Sequence, residues 1–203
     1  IAVVDQKVNK GGLSRVIKKL LPEISKSDKI SITYFGNREG INRENLLKTF
    51  DKDNIKINFL QSLNFSGNNL NNKIIFKLVK YLQNKYLKKI NFLPYWLNGN
   101  LQNELNYKLK DFDLIYFPWP FLIEFPKINK PIVATFHDFN FKYYFSGNST
   151  YSYNDTERLN RQMNTWIENS EIIVSNNFTK LELIKFYPNN TDRVNVIPLS
   201  YYS

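Results

Sequence analysis

The chain has 203 residues, 42% of them hydrophobic and 16% aromatic, which suits one domain with a real core and is too aromatic for a disordered chain. With no cysteine and a single histidine, His137, disulfide frameworks, thiolate zinc sites, thiol catalysis and multi-histidine metal centres are excluded. The formal charge of +10, from 28 basic against 18 acidic residues, points to a phosphate-rich partner such as a nucleotide, a nucleic acid or an anionic lipid surface, and says nothing about fold.

Ile1 to Val4 is a short continuous apolar run, as expected for a strand covered on both faces. A turn carrying Gly11-Gly12 follows, then Leu13, Val16, Ile17 and Leu20 recur at helical spacing with Lys18 and Lys19 on the other side. Ile30 to Phe35 reads as a second strand and Ile55 to Leu60 as a third, with a short helix near Arg43 to Phe50 between them. Asn-rich turns then flank a long helical stretch, Lys73 to Ile90, followed by Pro94-Tyr95-Trp96 and an amphipathic segment, Leu101 to Leu109. Strands resume at Leu114–Phe117, Ile132–Phe136, Glu171–Val174 and Val194–Ile197. Helices at Asp155 to Asn169, with Leu159, Met163, Trp166 and Ile167 on one face, and at Phe178 to Phe186 separate the last three. This alternation predicts one doubly wound α/β domain over residues 1–203, a mainly parallel, Rossmann-like sheet in a three-layer α/β/α arrangement.

No apolar run reaches the ~18 residues a membrane-spanning helix needs. With 29 asparagines in the chain, the Asn-x-Ser/Thr triplets are what composition alone would scatter and are given no weight as glycosylation sites. The opening Ile-Ala-Val-Val, with neither an initiator Met nor a signal-peptide pattern, reads as a trimmed start.

In an open parallel sheet, ligands sit beyond the carboxyl ends of the strands, and three polar turns are expected there. Gly11-Gly12 leads into a helix, where free N–H groups could hold an anion; the alternative is a flexible turn. His137 could donate a hydrogen bond to a sugar hydroxyl or exchange a proton near neutral pH, or could be satisfied by a loop carbonyl. Asp138 could act as a base or accept from a hydroxyl, or could cap the next turn. Ser175-Asn176-Asn177 follows the strand Glu171–Val174.

On a helical wheel, Ile75, Leu78, Val79, Leu82, Tyr86 and Ile90 share about a third of the circumference at 100° per residue. Lys73, Lys77, Lys80 and Lys88 lie opposite, with Tyr95 and Trp96 close behind. Such a pattern fits an interfacial membrane helix or an acceptor-binding patch; it fits equally a sheet-covering helix with a solvated face. Nucleic acid is not expected as a partner, since no binding motif is present and arginine is scarce.

The order of motifs resembles a known family. Gly-Gly-Leu-Ser-Arg-Val-Ile (11–17) opens a helix after the first strand, and Asp-Leu-Ile-Tyr-Phe-Pro (113–118) precedes Lys-Pro-Ile-Val-Ala-Thr-Phe-His-Asp-Phe (130–139). Ile-Ile-Val-Ser-Asn-Asn-Phe-Thr-Lys (172–180) and Arg-Val-Asn-Val-Ile-Pro-Leu (193–199) complete the series. Together they resemble the N-terminal half of a family 4 glycosyltransferase of the two-Rossmann GT-B architecture, most strongly over 111–199.

The resemblance implies retaining transfer of a sugar from a nucleotide diphosphate sugar to an acceptor hydroxyl, in polysaccharide or glycolipid synthesis, with no required metal and no other cofactor. It places Gly11 and Gly12 beside the donor diphosphate, His137 on the transferred sugar, Asp138 in support of that turn or the acceptor, and Ser175 and Asn176 on the same rim. It implies a cytoplasmic protein, with a peripheral seat on the membrane's inner face as an option, whose partners are the nucleotide sugar, a saccharide or lipid-linked acceptor and an anionic membrane surface.

The family carries most donor contacts in a second domain, reached near Val-Ile-Pro-Leu, and none of those residues lies within the 203. The isolated chain is therefore expected to have negligible transferase activity. Two other readings stand beside this one: a non-catalytic binding or membrane-anchoring module of a split glycosyltransferase, and a nucleotide-binding flavodoxin-like domain.

Overall fold

In the computed structural model the described residues are 1–5, 12–37, 50, 54–60, 95–120, 124–143, 153–189 and 192–198. In chain order the elements are β1 (Ala2–Val4), α1 (Gly12–Ser25), β2 (Ile32–Asn37), β3 (Ile55–Leu60), α2 (Tyr95–Leu109), β4 (Ile115–Phe117), β5 (Ile132–Phe136), a 3-10 turn (Asn140–Lys142), α3 (Tyr153–Asn169), β6 (Glu171–Val174), α4 (Asn177–Phe186) and β7 (Val194–Val196). The helix expected at Lys73 to Ile90, with Lys73, Lys77, Lys80 and Lys88, lies outside the described residues, as does Gly11.

The strands form one seven-stranded sheet in the order β3-β2-β1-β4-β5-β6-β7, with every adjacent pair parallel. Alternate side chains divide the core between its two faces. Val3, Ile32, Tyr34 and Ile55 pack with Ile17 and Leu21 of α1 and with Phe50. Ala2, Val4, Phe35, Leu60, Phe117, Ala134, Phe136 and Val174 pack on the other side, against Leu101 and Leu105 of α2, Leu159, Met163, Trp166 and Ile167 of α3, and Leu183 of α4. Helices on both faces make this a three-layer, Rossmann-like α/β/α fold. β1 is buried along its whole length, while β7 alternates, with Val194 buried and Asn195 exposed.

The ends of elements depart from the expected ones where backbone pairing overrides hydropathy. β2 starts two residues late, because the Ile30 N–H closes a turn onto the Ser27 carbonyl. It then runs on through Gly36 and Asn37, which pair with Phe59 and Leu60. Gly12 is the first residue of α1 rather than part of the turn, and α2 begins at Tyr95 rather than Leu101.

The strand order reverses at β1, which has β2 on one side and β4 on the other. At such a switch point the connections leave in opposite directions and open a crevice beyond the carboxyl ends. The candidate site is built along that rim.

Candidate functional site at the carboxyl rim

Asp5 closes β1 at the switch point. Its N–H donates to the Phe35 carbonyl at 2.9 Å, and the residue is only 2% exposed. Val3 pairs with Tyr34 on one side and Tyr116 on the other, so Asp5, two residues further along the same face, lies between the two phenols. The Tyr34 hydroxyl donates to Asp5 Oδ2 at 2.9 Å, and Tyr116 Oη shares a 2.9 Å hydrogen bond with Thr135 Oγ1. Burial pushes the Tyr34 phenol well above its usual 10.0, and the charge and hydrogen bond of Asp5 push the same way. Burial also raises Tyr116, opposed by the Thr135 bond and reinforced by Asp5. Both phenols are thus neutral at physiological pH. Sequence alone does not reveal this belt, because the strand register, not spacing along the chain, brings Tyr34 and Tyr116 to either side of β1.

Tyr34→Phe is expected to cost about 1.5–3 kcal/mol, because it removes a donor from a buried carboxyl without giving that group to water. Urea unfolding would check it, and a change under about 0.5 kcal/mol would show that the bond contributes nothing net.

His137 stands one residue past β5. Counting the β5–β6 pairing on by one from Phe136–Val174 brings His137 beside Ser175. Its Nε2 lies 3.0 Å from the Pro118 carbonyl oxygen. A carbonyl only accepts, so Nε2 carries the proton. Burial holds the imidazole below its usual 6.5, although the Pro118 bond and the Asp138 charge act the other way. The neutral ring therefore leaves Nδ1 as an acceptor. This alters the expectation of a donated hydrogen bond to a hydroxyl: the donor is already committed to the loop carbonyl, and the lone pair is what the site can offer. The Trp119 ring lies against the imidazole, centroids 5.1 Å apart at 36°.

Asp138 does not partner its neighbour. Its Oδ1 accepts the Asn140 N–H at 3.0 Å, an Asx turn just ahead of the 3-10 turn, whose own N-cap position is Phe139 with no side-chain cap. Asp138 also lines a shallow, mainly apolar depression with Trp119, Pro120, Phe136, Phe141 and Met163. At the end of that turn, Lys142 Nζ sits 4.6 Å from the Tyr187 ring centroid and 5.1 Å from that of Phe186. These aromatic faces hold the ammonium by cation–π attraction.

Asn176 is extended, and its Oδ1 accepts the Thr179 N–H at 2.8 Å, which caps α4. Its Nδ2 donates to Ser175 Oγ at 3.2 Å. Asn176→Ala is expected to destabilise the fold by about 1 kcal/mol, read from denaturant midpoints at unchanged slope; an unaltered midpoint would show that α4 does not depend on this cap.

The structure thus gathers Asp5, His137, Asp138, Ser175 and Asn176 along one rim, with Gly12 beginning α1. Tyr95 and Trp96 are the first residues of α2. Among the described residues no group of three or more His, Asp or Glu stands together as a metal site, and no helix is long and apolar enough to cross a membrane.

No family model matches this sequence, and no curated protein does. Among solved structures, the crystal structure of Acinetobacter baumannii MurG is similar over 98% of this chain and 68% of that chain, at 14% sequence identity and a TM-score of 0.32.

Proposed function

We propose that this chain is the acceptor-side, Rossmann-like domain of a retaining glycosyltransferase of GT-B architecture. The parent protein would move a sugar from a nucleotide diphosphate sugar to an acceptor hydroxyl, in the synthesis of a polysaccharide or glycolipid. The observation that carries the reading is a neutral, half-buried imidazole at the carboxyl rim of a doubly wound parallel sheet, whose Nε2 is taken by Pro118 and whose Nδ1 has no partner among the described residues.

As the sugar–phosphate bond lengthens, the anomeric carbon becomes cation-like. Catalysis then consists mainly of positioning and charge stabilisation. His137 Nδ1 accepts a hydrogen bond from a hydroxyl of the transferred sugar and holds it against the rim. Asp138 fixes the turn that follows. Gly11 and Gly12 admit the diphosphate close to the backbone at the start of α1, and Ser175 and Asn176 line the opposite side of the same rim. The reaction proposed needs no metal. The cytoplasm supplies its donor, and an anionic membrane surface or the acceptor is the partner proposed for Lys73, Lys77, Lys80, Lys88, Tyr95 and Trp96 on their sequence pattern.

The test supplies the parent protein with UDP-, GDP- and ADP-sugars and with saccharide and lipid acceptors extracted from its source. Expected is incorporation of one sugar with its anomeric configuration retained, read by NMR of the product. Failure to transfer from any donor, together with no binding of any nucleotide sugar, would overturn the reading.

A further inference from the structure

We propose that Pro118-Trp119-Pro120 is a rigid clamp for His137, in which Trp119 is a positioning residue that fixes the imidazole plane and leaves Nδ1 as the working atom. β4 ends at Phe117, so the clamp is the first stretch of chain beyond the strand. Proline at 118 locks its own φ, and proline at 120 confines Trp119 to extended backbone. Both prolines are buried, which removes the remaining freedom of the segment.

From this stiffened backbone two groups reach the same ring. The Pro118 carbonyl takes the Nε2 proton at 3.0 Å and so selects the tautomer. The Trp119 indole covers the ring at 5.1 Å and so selects the plane. A quarter-turn of the imidazole would take its plane off the indole and swing Nε2 out of line with the carbonyl, so the ring contact and the hydrogen bond resist the same rotation, while a half-turn, which keeps the plane, is opposed by the hydrogen bond. Preorganisation of this kind lowers the ordering cost when a ligand arrives. The register explains why the clamp reaches across one strand: Phe117 pairs with Ala134, which places 118–120 alongside 135–137.

The proposal deepens the reading of the rim as a hydroxyl-binding site, but its test needs no sugar, so the two can fail separately. Because the chain holds one histidine, a long-range proton–nitrogen spectrum of the 15N-labelled protein shows a single imidazole. Expected is a protonated Nε2 with a lone pair on Nδ1 in the wild type and in Trp119→Phe, which keeps an aromatic face. Trp119→Leu, which keeps bulk without that face, and Trp119→Ala should both show the two nitrogens averaging toward a tautomer mixture. Pro120→Ala should fall between. Far-UV circular dichroism verifies folding, and Trp119→Leu decides the matter where Trp119→Ala does not fold. A wild-type spectrum with the proton on Nδ1, or a Trp119→Leu spectrum identical to wild type, would overturn the clamp.

Discussion

Trp166→Ala is expected to lower stability by about 3–5 kcal/mol and, for a domain of this size, to lower the melting temperature by roughly 6–20 °C. Trp166 sits on α3 with no exposed surface. Its indole meets the edge of Phe117 from β4 at 4.7 Å and 67°, and of Phe125 from the β4–β5 connection at 4.9 Å and 73°. One ring therefore ties a helix, a central strand and a loop together, and truncation leaves a cavity that three separate elements would have to move to fill. Edge-to-face pairs add about 0.5–1.5 kcal/mol beyond the area they bury, so Trp166→Phe should recover part of the loss. Urea unfolding followed by far-UV circular dichroism measures both variants. A Trp166→Ala loss below about 1.5 kcal/mol would mean that the site collapses easily and that the aromatic contacts do not organise this half of the core.

Trp166 also shows what the sequence made legible. Leu159, Met163, Trp166 and Ile167 announce one helix face by spacing alone, and all four are buried. The strand–helix alternation likewise implied the parallel sheet, because crossover connections leave few other arrangements. Boundaries were less legible where hydrogen bonding rather than hydropathy sets them. Asn98, Gly99 and Asn100 are weak helix formers, yet they lie within α2.

The rim was legible as a place more than as a chemistry. His137 and Asn176 stood out as polar residues at strand ends, but which atom of each is already occupied depends on Pro118 and Thr179, 19 and three residues away. Asp5 was passed over because a carboxylate after a strand normally reads as solvated. Only the register that places Tyr34 and Tyr116 on either side of Val3 reveals it as the centre of a buried polar belt. Trp119 was invisible for the same reason: its meaning lies in the ring it covers on the next strand.

On the glycosyltransferase function proposed above, His137→Ala in the full-length protein is expected to reduce sugar transfer by about 10²–10³-fold, the usual worth of one positioned polar group on a reacting centre. The fold should lose only about 0.5–1.5 kcal/mol, the net value of the bond to Pro118. The pH dependence gives an independent check with a definite sign. Burial lowers the folded imidazole's pKa below its usual 6.5, so as pH falls the unfolded chain takes up the proton first. The stability this residue contributes is therefore complete above 6.5 and is lost as pH falls from there through the folded value. His137→Ala removes that slope, so the stability gap between wild type and variant should narrow on acidification. Transfer by the wild type should decline on the acid side with an inflection below 6.5, because protonation of Nδ1 turns the acceptor into a donor. Transfer that rises as the imidazole gains its proton would mean that the imidazolium, and not the Nδ1 lone pair, meets the substrate.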